Sequence, residues 1–214
     1  MSCPICNKRP AKRPCPAKDA MICAICCGTE REVSIDCPSD CCFLLEARRY
    51  EAEHRKPIPP GEIPYPETRI SQDIVHLHRP VVSGLGLTIL KLATENRSLN
   101  DSDVLGALGP LAEAYRTLSA SGLYYEKPPD DRVRAELYRR LGEFLNEYRK
   151  PENQQRGAPP PKDAEVFLLL AFMMRVARHH HNGRPRSRAF LDFLRAQYPA
   201  EALAPPEAPR IVAP

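Results

Sequence analysis

The distribution of apolar and polar positions divides the chain into two unequal parts. Residues 1 to about 45 hold few large apolar side chains, among them Ile5, Met21, Ile22, Ile25, Val33, Ile35, Phe43, Leu44 and Leu45. So small a set cannot close a stable core without a crosslink. The segment 43–54, FLLEARRYEAEH, predicts a helix that closes this N-terminal module, placed at 1–55, and packs Leu44, Leu45 and Tyr50. The following stretch, KPIPPGEIPYP, is too rich in proline for a helix interior and predicts a linker or strap over residues 56–69. Ile58, Ile63 and Tyr65 favour a strap laid over the next domain, since a free linker is usually plainly polar.

From about Ile70 the pattern becomes helical. Leu85, Ile89, Leu92 and Ala93 recur at three- and four-residue spacing, with Gly84-Leu85-Gly86 read as the tight start of that helix. Asn100-Asp101-Ser102-Asp103 supplies N-caps for a helix from about Val104. Gly109-Pro110 predicts a kink or a fresh start there, and Gly122 an end. Asp130-Asp131 caps an amphipathic helix with the face Val133, Leu137, Leu141, Phe144, Leu145 and Tyr148. After the polar break ENQQRGAPPP, a helix that is apolar nearly all round from Val166 to Met174 predicts the centre of a bundle. A last helix is expected over about Arg186 to Tyr198, and a disordered tail over 200–214. The expected fold is mostly α: a small irregular Cys-rich zinc module followed by an all-α bundle of about five or six helices over 70–199.

Composition narrows the function classes. A formal charge of +4 in 214 residues is too mild to imply a polyanion partner. The longest apolar run, Val166 to Met174, is too short to span a bilayer, and the N-terminus lacks a secretory apolar core. A cytoplasmic protein without a membrane partner is therefore expected.

All nine cysteines fall in the first 42 residues. An odd number in a chain without an export signal favours metal thiolates over disulfides. Cys3-Pro4-Ile5-Cys6 and Cys23-Ala24-Ile25-Cys26 have the two-residue gap that lets two sulfurs reach one ion from a tight turn. Cys37 and Cys41 form a third, wider pair, while Cys15 stands alone and Cys27 follows Cys26 directly. Two structural zinc ions are expected. One arrangement interleaves the ligands: Cys3, Cys6, Cys23 and Cys26 for one ion, and Cys15, Cys27, Cys37 and Cys41 for the other. Cys42 is the spare, or an exchange partner for Cys41. Inert buried thiols and an iron–sulfur cluster are the alternatives. The first would not crowd into the segment least able to bury them, and the serial ferredoxin spacing of the second is missing.

Two basic groups are candidates for a macromolecular surface. Lys8, Arg9, Lys12 and Arg13 lie in the module, and Arg175, Arg178, Arg184, Arg186 and Arg188 gather near one helix end with His179, His180 and His181. The histidines read as solvent-facing residues at a fraying end. His76 and His78, two apart, suit an extended segment rather than one helix face. With no phosphate loop, no His-Glu-x-x-His and no recognisable nucleophile–base pair, no catalytic residue is assigned.

The run Cys23-Ala-Ile-Cys-Cys-Gly-Thr-Glu-Arg-Glu-Val, followed by Cys37-Pro-Ser-Asp-Cys, resembles the cysteine-rich N-terminus of uncharacterised bacterial proteins. It is also loosely similar to cross-braced zinc folds of the treble-clef or box type. That resemblance covers roughly residues 1–50 and implies zinc, protein contacts and a bacterial cytoplasmic setting. The chain departs from those folds in having no histidine among the expected ligands and no near partner for Cys15. The expected function is a non-enzymatic zinc-binding adaptor whose partner is another protein. The alternative is RNA or DNA binding through the two basic groups.

Overall fold

A computed structural model describes residues 1–150 and 159–203. Much of the polar break expected at 152–161, and the tail from 204 onward, lie outside the described residues.

The N-terminal module is built on a two-stranded antiparallel hairpin, β1 (Arg13–Cys15) and β2 (Ala20–Ile22), in the register Arg13↔Ile22, Pro14↔Met21, Cys15↔Ala20. Asp19, at φ 46°, completes its turn, a left-handed conformation that a short polar side chain tolerates. Helix α1 (Ala24–Glu30) follows β2 at once, and α2 (Cys42–Glu53) closes the module with Leu44 fully buried. Leu45 and Tyr50, expected to pack beside Leu44, are exposed instead, because α2 buries a single narrow stripe.

Among the described residues six helices follow: α3 (Gln72–Leu77), α4 (Arg79–Glu95), α5 (Asp101–Ser121), α6 (Arg132–Tyr148), α7 (Asp163–His180) and α8 (Ala189–Arg195). The mostly α architecture is therefore as expected. Helices α5 and α7 pair most closely, with α4, α6 and α8 packed around them over a core that includes Leu85, Leu108, Leu141, Leu170 and Phe190. No helix among the described residues is long and apolar enough to cross a membrane.

The caps explain the boundaries. The Asn100 side chain accepts from the Ser102 and Asp103 amides while Asp103 accepts from the Asn100 amide, and Gly122 ends α5 at φ 72°. Asp131 caps α6 by accepting from the Val133 and Arg134 amides at 3.0 Å.

Three local expectations fail. Helix α5 runs through Pro110 without restarting, because packing of Leu108, Leu111 and Ala112 in the core outweighs one lost backbone bond. Helix α4 begins five residues before Gly84. Its two glycines sit in the interior where Phe144 and Tyr198 come close: a Cβ on Gly84 would lie 2.0 Å from the Phe144 ring, and one on Gly86 2.2 Å from the Tyr198 hydroxyl. The 71–78 segment is helical rather than extended, with Ser71 capping α3 by accepting from the Ile74 amide.

Residues 62–68 of the proline-rich segment lie against the bundle. The Tyr65 ring meets Phe167 edge-on at 5.0 Å, and its hydroxyl donates to Glu113 at 2.8 Å. Arg175 donates to the carbonyls of Pro64, Tyr65 and Thr68, satisfying the acceptors of a segment that makes no regular ladder of its own. After α8, residues 200–203 form a short 3-10 turn, and Leu203 packs on the core.

Candidate metal centre

The hairpin decides which cysteines meet. Its open end holds the residues just before β1 and just after β2, so the Cys3–Cys6 turn comes opposite Cys23 and Cys26. The Cys3 amide donates to the Arg9 carbonyl at 2.8 Å, and the Asn7 amide donates to the Cys3 carbonyl at 2.8 Å. Asn7, at φ 53°, turns the chain sharply after Cys6. Cys23 is the N-cap of α1, its sulfur accepting from the Cys26 amide at 3.3 Å.

The four ligand atoms of Cys3, Cys6, Cys23 and Cys26 lie within 4.8 Å of one another. In a tetrahedral site with zinc–sulfur bonds near 2.3 Å, neighbouring sulfurs are about 3.8 Å apart. The Cys6 and Cys23 sulfurs approach to 4.0 Å, so the cluster is close to that size. Cys3, Cys23 and Cys26 are buried, and all nine cysteines are free thiols. This cluster can coordinate a single zinc ion through four sulfurs.

Electrostatics agree with that chemistry. Burial raises the Cys26 thiol pKa, with the sulfurs of Cys23, Cys6 and Cys3 adding to it, up to about 12. Burial acts the same way on Cys3, but hydrogen bonds from the backbone of Cys23, Cys6 and Ile5 outweigh it and bring its thiol down to about 6. Backbone hydrogen bonds from Lys8 and Arg9 likewise lower Cys6 against its burial. Amides aimed at sulfur stabilise thiolates, and a divalent cation would offset the burial and the mutual repulsion that keep the last one protonated. Four sulfurs around one ion would leave no position open for a substrate, the coordination of a structural site.

The remaining cysteines stand elsewhere. Cys15 lies at the turn end of the hairpin, roughly 10 Å along the strands from the open end. Cys27 is rotated about 100° around α1 from Cys26 and cannot share its ion. Cys15, Cys27, Cys37 and Cys41 all line one small hollow, yet the Cys3 set is the only group of candidate ligands among the described residues gathered within 4.8 Å. Burial raises the Cys37 thiol, and the nearby Cys41, Glu32 and Cys15 push the same way against a backbone hydrogen bond at Glu32. Cys42 is exposed on α2.

The two basic groups have different fates. Lys8, Arg9 and Lys12 are exposed, while the Arg13 guanidinium sits 4.7 Å over the Phe43 ring. Most of the second group turns inward. Arg175 holds residues 64–68, Arg178 pairs with Glu62, Arg184 donates to the carbonyls of Gly28 and Arg31, and Arg188 pairs with Asp36 at 2.6 Å. Arg186 keeps an exposed side chain, while its amide donates to the Glu32 carbonyl at 2.9 Å. The histidines also depart from expectation. Only His179 is exposed. His180 stacks on Phe193 at 3.9 Å, and His181 Nδ1 lies 3.8 Å from buried Asp101. His78 is buried with Nε2 3.5 Å from Glu165, whereas His76 faces solvent, so the two do not converge.

Sequence reading missed the residue that joins the two parts. Glu32, 2% exposed and at φ 52°, accepts from Arg48 at 2.7 Å and from Asn182 at 2.7 Å. Arg48 also pairs with Asp192 of α8, and Ser39 donates to the same carboxylate at 2.9 Å. Nothing local marks Glu32, because its partners lie far along the chain. No protein-family model matches the chain, and neither do the curated proteins or the solved structures compared with it.

Proposed function

We propose that this is a non-enzymatic cytoplasmic adaptor in which a zinc-folded module, locked to a helical bundle, presents a protein-binding face. One observation carries the reading. The two turns that supply the clustered sulfurs send their apolar residues outward, with Ile5 38% and Ile25 52% exposed beside Met21 at 43%. Buried sulfurs beneath exposed apolar tips suit a site in which metal shapes a contact surface, and Lys8, Arg9 and Lys12 around it favour an acidic partner segment.

A photo-crosslinking residue at position 25 of the full chain tests this. A discrete protein adduct that Ile5→Asp abolishes, with zinc content unchanged, is the expected result. No adduct at position 25, or one indifferent to Ile5→Asp, refutes the adaptor reading.

Exposed Lys8, Arg9 and Lys12 also support a second reading, nucleic-acid binding. The engagement of Arg184 and Arg188 inside the protein removes much of the wider basic surface it needs. Fluorescence anisotropy with single-stranded RNA and duplex DNA separates the two. Salt-dependent binding lost in Lys8→Glu/Arg9→Glu would favour nucleic acid over protein.

A further inference from the structure

We infer that Cys15, Cys27, Cys37 and Cys41 hold a second structural zinc ion, which fixes the segment that docks the module onto the bundle. The inference extends the structural-zinc reading of the module to a site with a different mechanical task.

The four residues come from four places: the end of β1, the middle of α1, the loop after it and the residue before α2. They are far apart in sequence, yet all line one hollow of about 10 Å³, room for a single small occupant. The rest of its wall is mainly apolar, with Ile22, Ile35, Phe43 and Leu44, so four thiols share a dry space that offers them few other partners. Their sulfurs stand farther apart than shared bonding to one ion requires. A thiol sulfur moves roughly 3 Å between staggered rotamers, so side-chain rotation is the route by which the four would gather on one ion.

A second observation points the same way. Arg31 lines this hollow, and its Nε is buried with no hydrogen-bond partner. An orphaned guanidinium N–H is costly, and a thiolate accepts from it better than a neutral thiol does. A zinc ion with four thiolates carries a net charge of −2, and a guanidinium N–H donating to a ligand sulfur satisfies both groups.

The location assigns the task. The first cluster braces the open end of the hairpin, whereas these cysteines bracket residues 27–41, which carry Glu32 and Asp36. The amide of Arg186 reports on that joint, because it donates to the Glu32 carbonyl.

The test is zinc content by native mass spectrometry on the full chain, with amide exchange at Arg186. Wild type and a Cys42→Ser control should carry two zinc ions. Cys15→Ser/Cys41→Ser should carry one and show at least tenfold faster exchange at Arg186, with helical circular dichroism of the bundle retained. Cys3→Ser/Cys6→Ser should also carry one and leave Arg186 exchange within about threefold of wild type. One ion in wild type that Cys15→Ser/Cys41→Ser keeps and Cys3→Ser/Cys6→Ser loses would overturn the second site and leave the first intact. No ion in any form would overturn both, and unchanged Arg186 exchange in Cys15→Ser/Cys41→Ser would overturn its docking role.

Discussion

The Asn182 side-chain amide donates to Glu32 Oε2 at 2.7 Å, tying the turn after α7 to a residue 150 positions earlier in the chain. Through Glu32 the contact continues to Arg48, and through Arg48 to Asp192 on α8. A largely buried charged network therefore ties the module to the bundle. Burial opposes the Arg48 charge, but Glu32 and Asp192 outweigh it and hold its pKa above the ordinary value.

Removing one member of such a network leaves its partner unpaired. Glu32→Ala should destabilise the protein by about 2–4 kcal/mol. Urea unfolding measures this, and an unchanged midpoint would mean that the joint contributes no stability.

Asp101 plays a comparable part inside the bundle. Fully buried, it accepts from the Ser187 hydroxyl at 2.7 Å and from the Phe190 and Leu191 amides at 3.1 and 3.2 Å, so it caps α8 from the start of α5. Asp101→Ala should cost about 2–4 kcal/mol by leaving those donors buried and unmet. Asp101→Asn, which retains one acceptor oxygen, should cost less. Equal losses in the two variants by chemical denaturation would show that hydrogen bonding is not the cause.

Close packing at Gly84 gives a third prediction. A methyl group there must displace the Phe144 ring, so Gly84→Ala should cost about 1–3 kcal/mol. In Phe144→Ala the same substitution should be neutral or stabilising. A double-mutant cycle reads the coupling, and additive effects would contradict the packing.

His180 sets a pH dependence. Burial depresses its pKa to about 4, with the charges of Arg55 and His179 adding to the effect. Between its ordinary value of 6.5 and about 4, the unfolded chain takes up a proton that the folded protein refuses. This contribution is therefore complete above pH 6.5 and is lost as pH falls towards 4. His180→Gln should flatten the profile by roughly 2 kcal/mol across that window, less than the full shift implies because solvent reaches part of the ring. Parallel urea curves at several pH values check it, and identical slopes for wild type and variant would refute it.

What could be read from sequence was what depends on neighbours in the chain. Asn100, Asp131 and Gly122 act on amides and carbonyls a few residues away, so their caps were visible. The two C-x-x-C turns were visible for the same reason, because two sulfurs within one turn already define half a site. Features set by distant packing were hidden. Pro110 looks like a break until its buried neighbours in α5 are known. Arg184 and Arg188 look like a basic surface until their partners at Gly28, Arg31 and Asp36 are in place. Glu32 carried no signal, since its importance comes from Arg48 and Asn182 together.

On the structural-zinc reading, metal rather than an apolar core folds the N-terminal module. Heteronuclear NMR of the full chain before and after chelation, with zinc counted in the same samples, tests it directly. Chelation should collapse the amide dispersion of residues 2–45 while leaving most resonances of α4 to α8 in place, and zinc should restore it. Full dispersion of residues 2–45 in a sample free of metal would mean that the module folds without it.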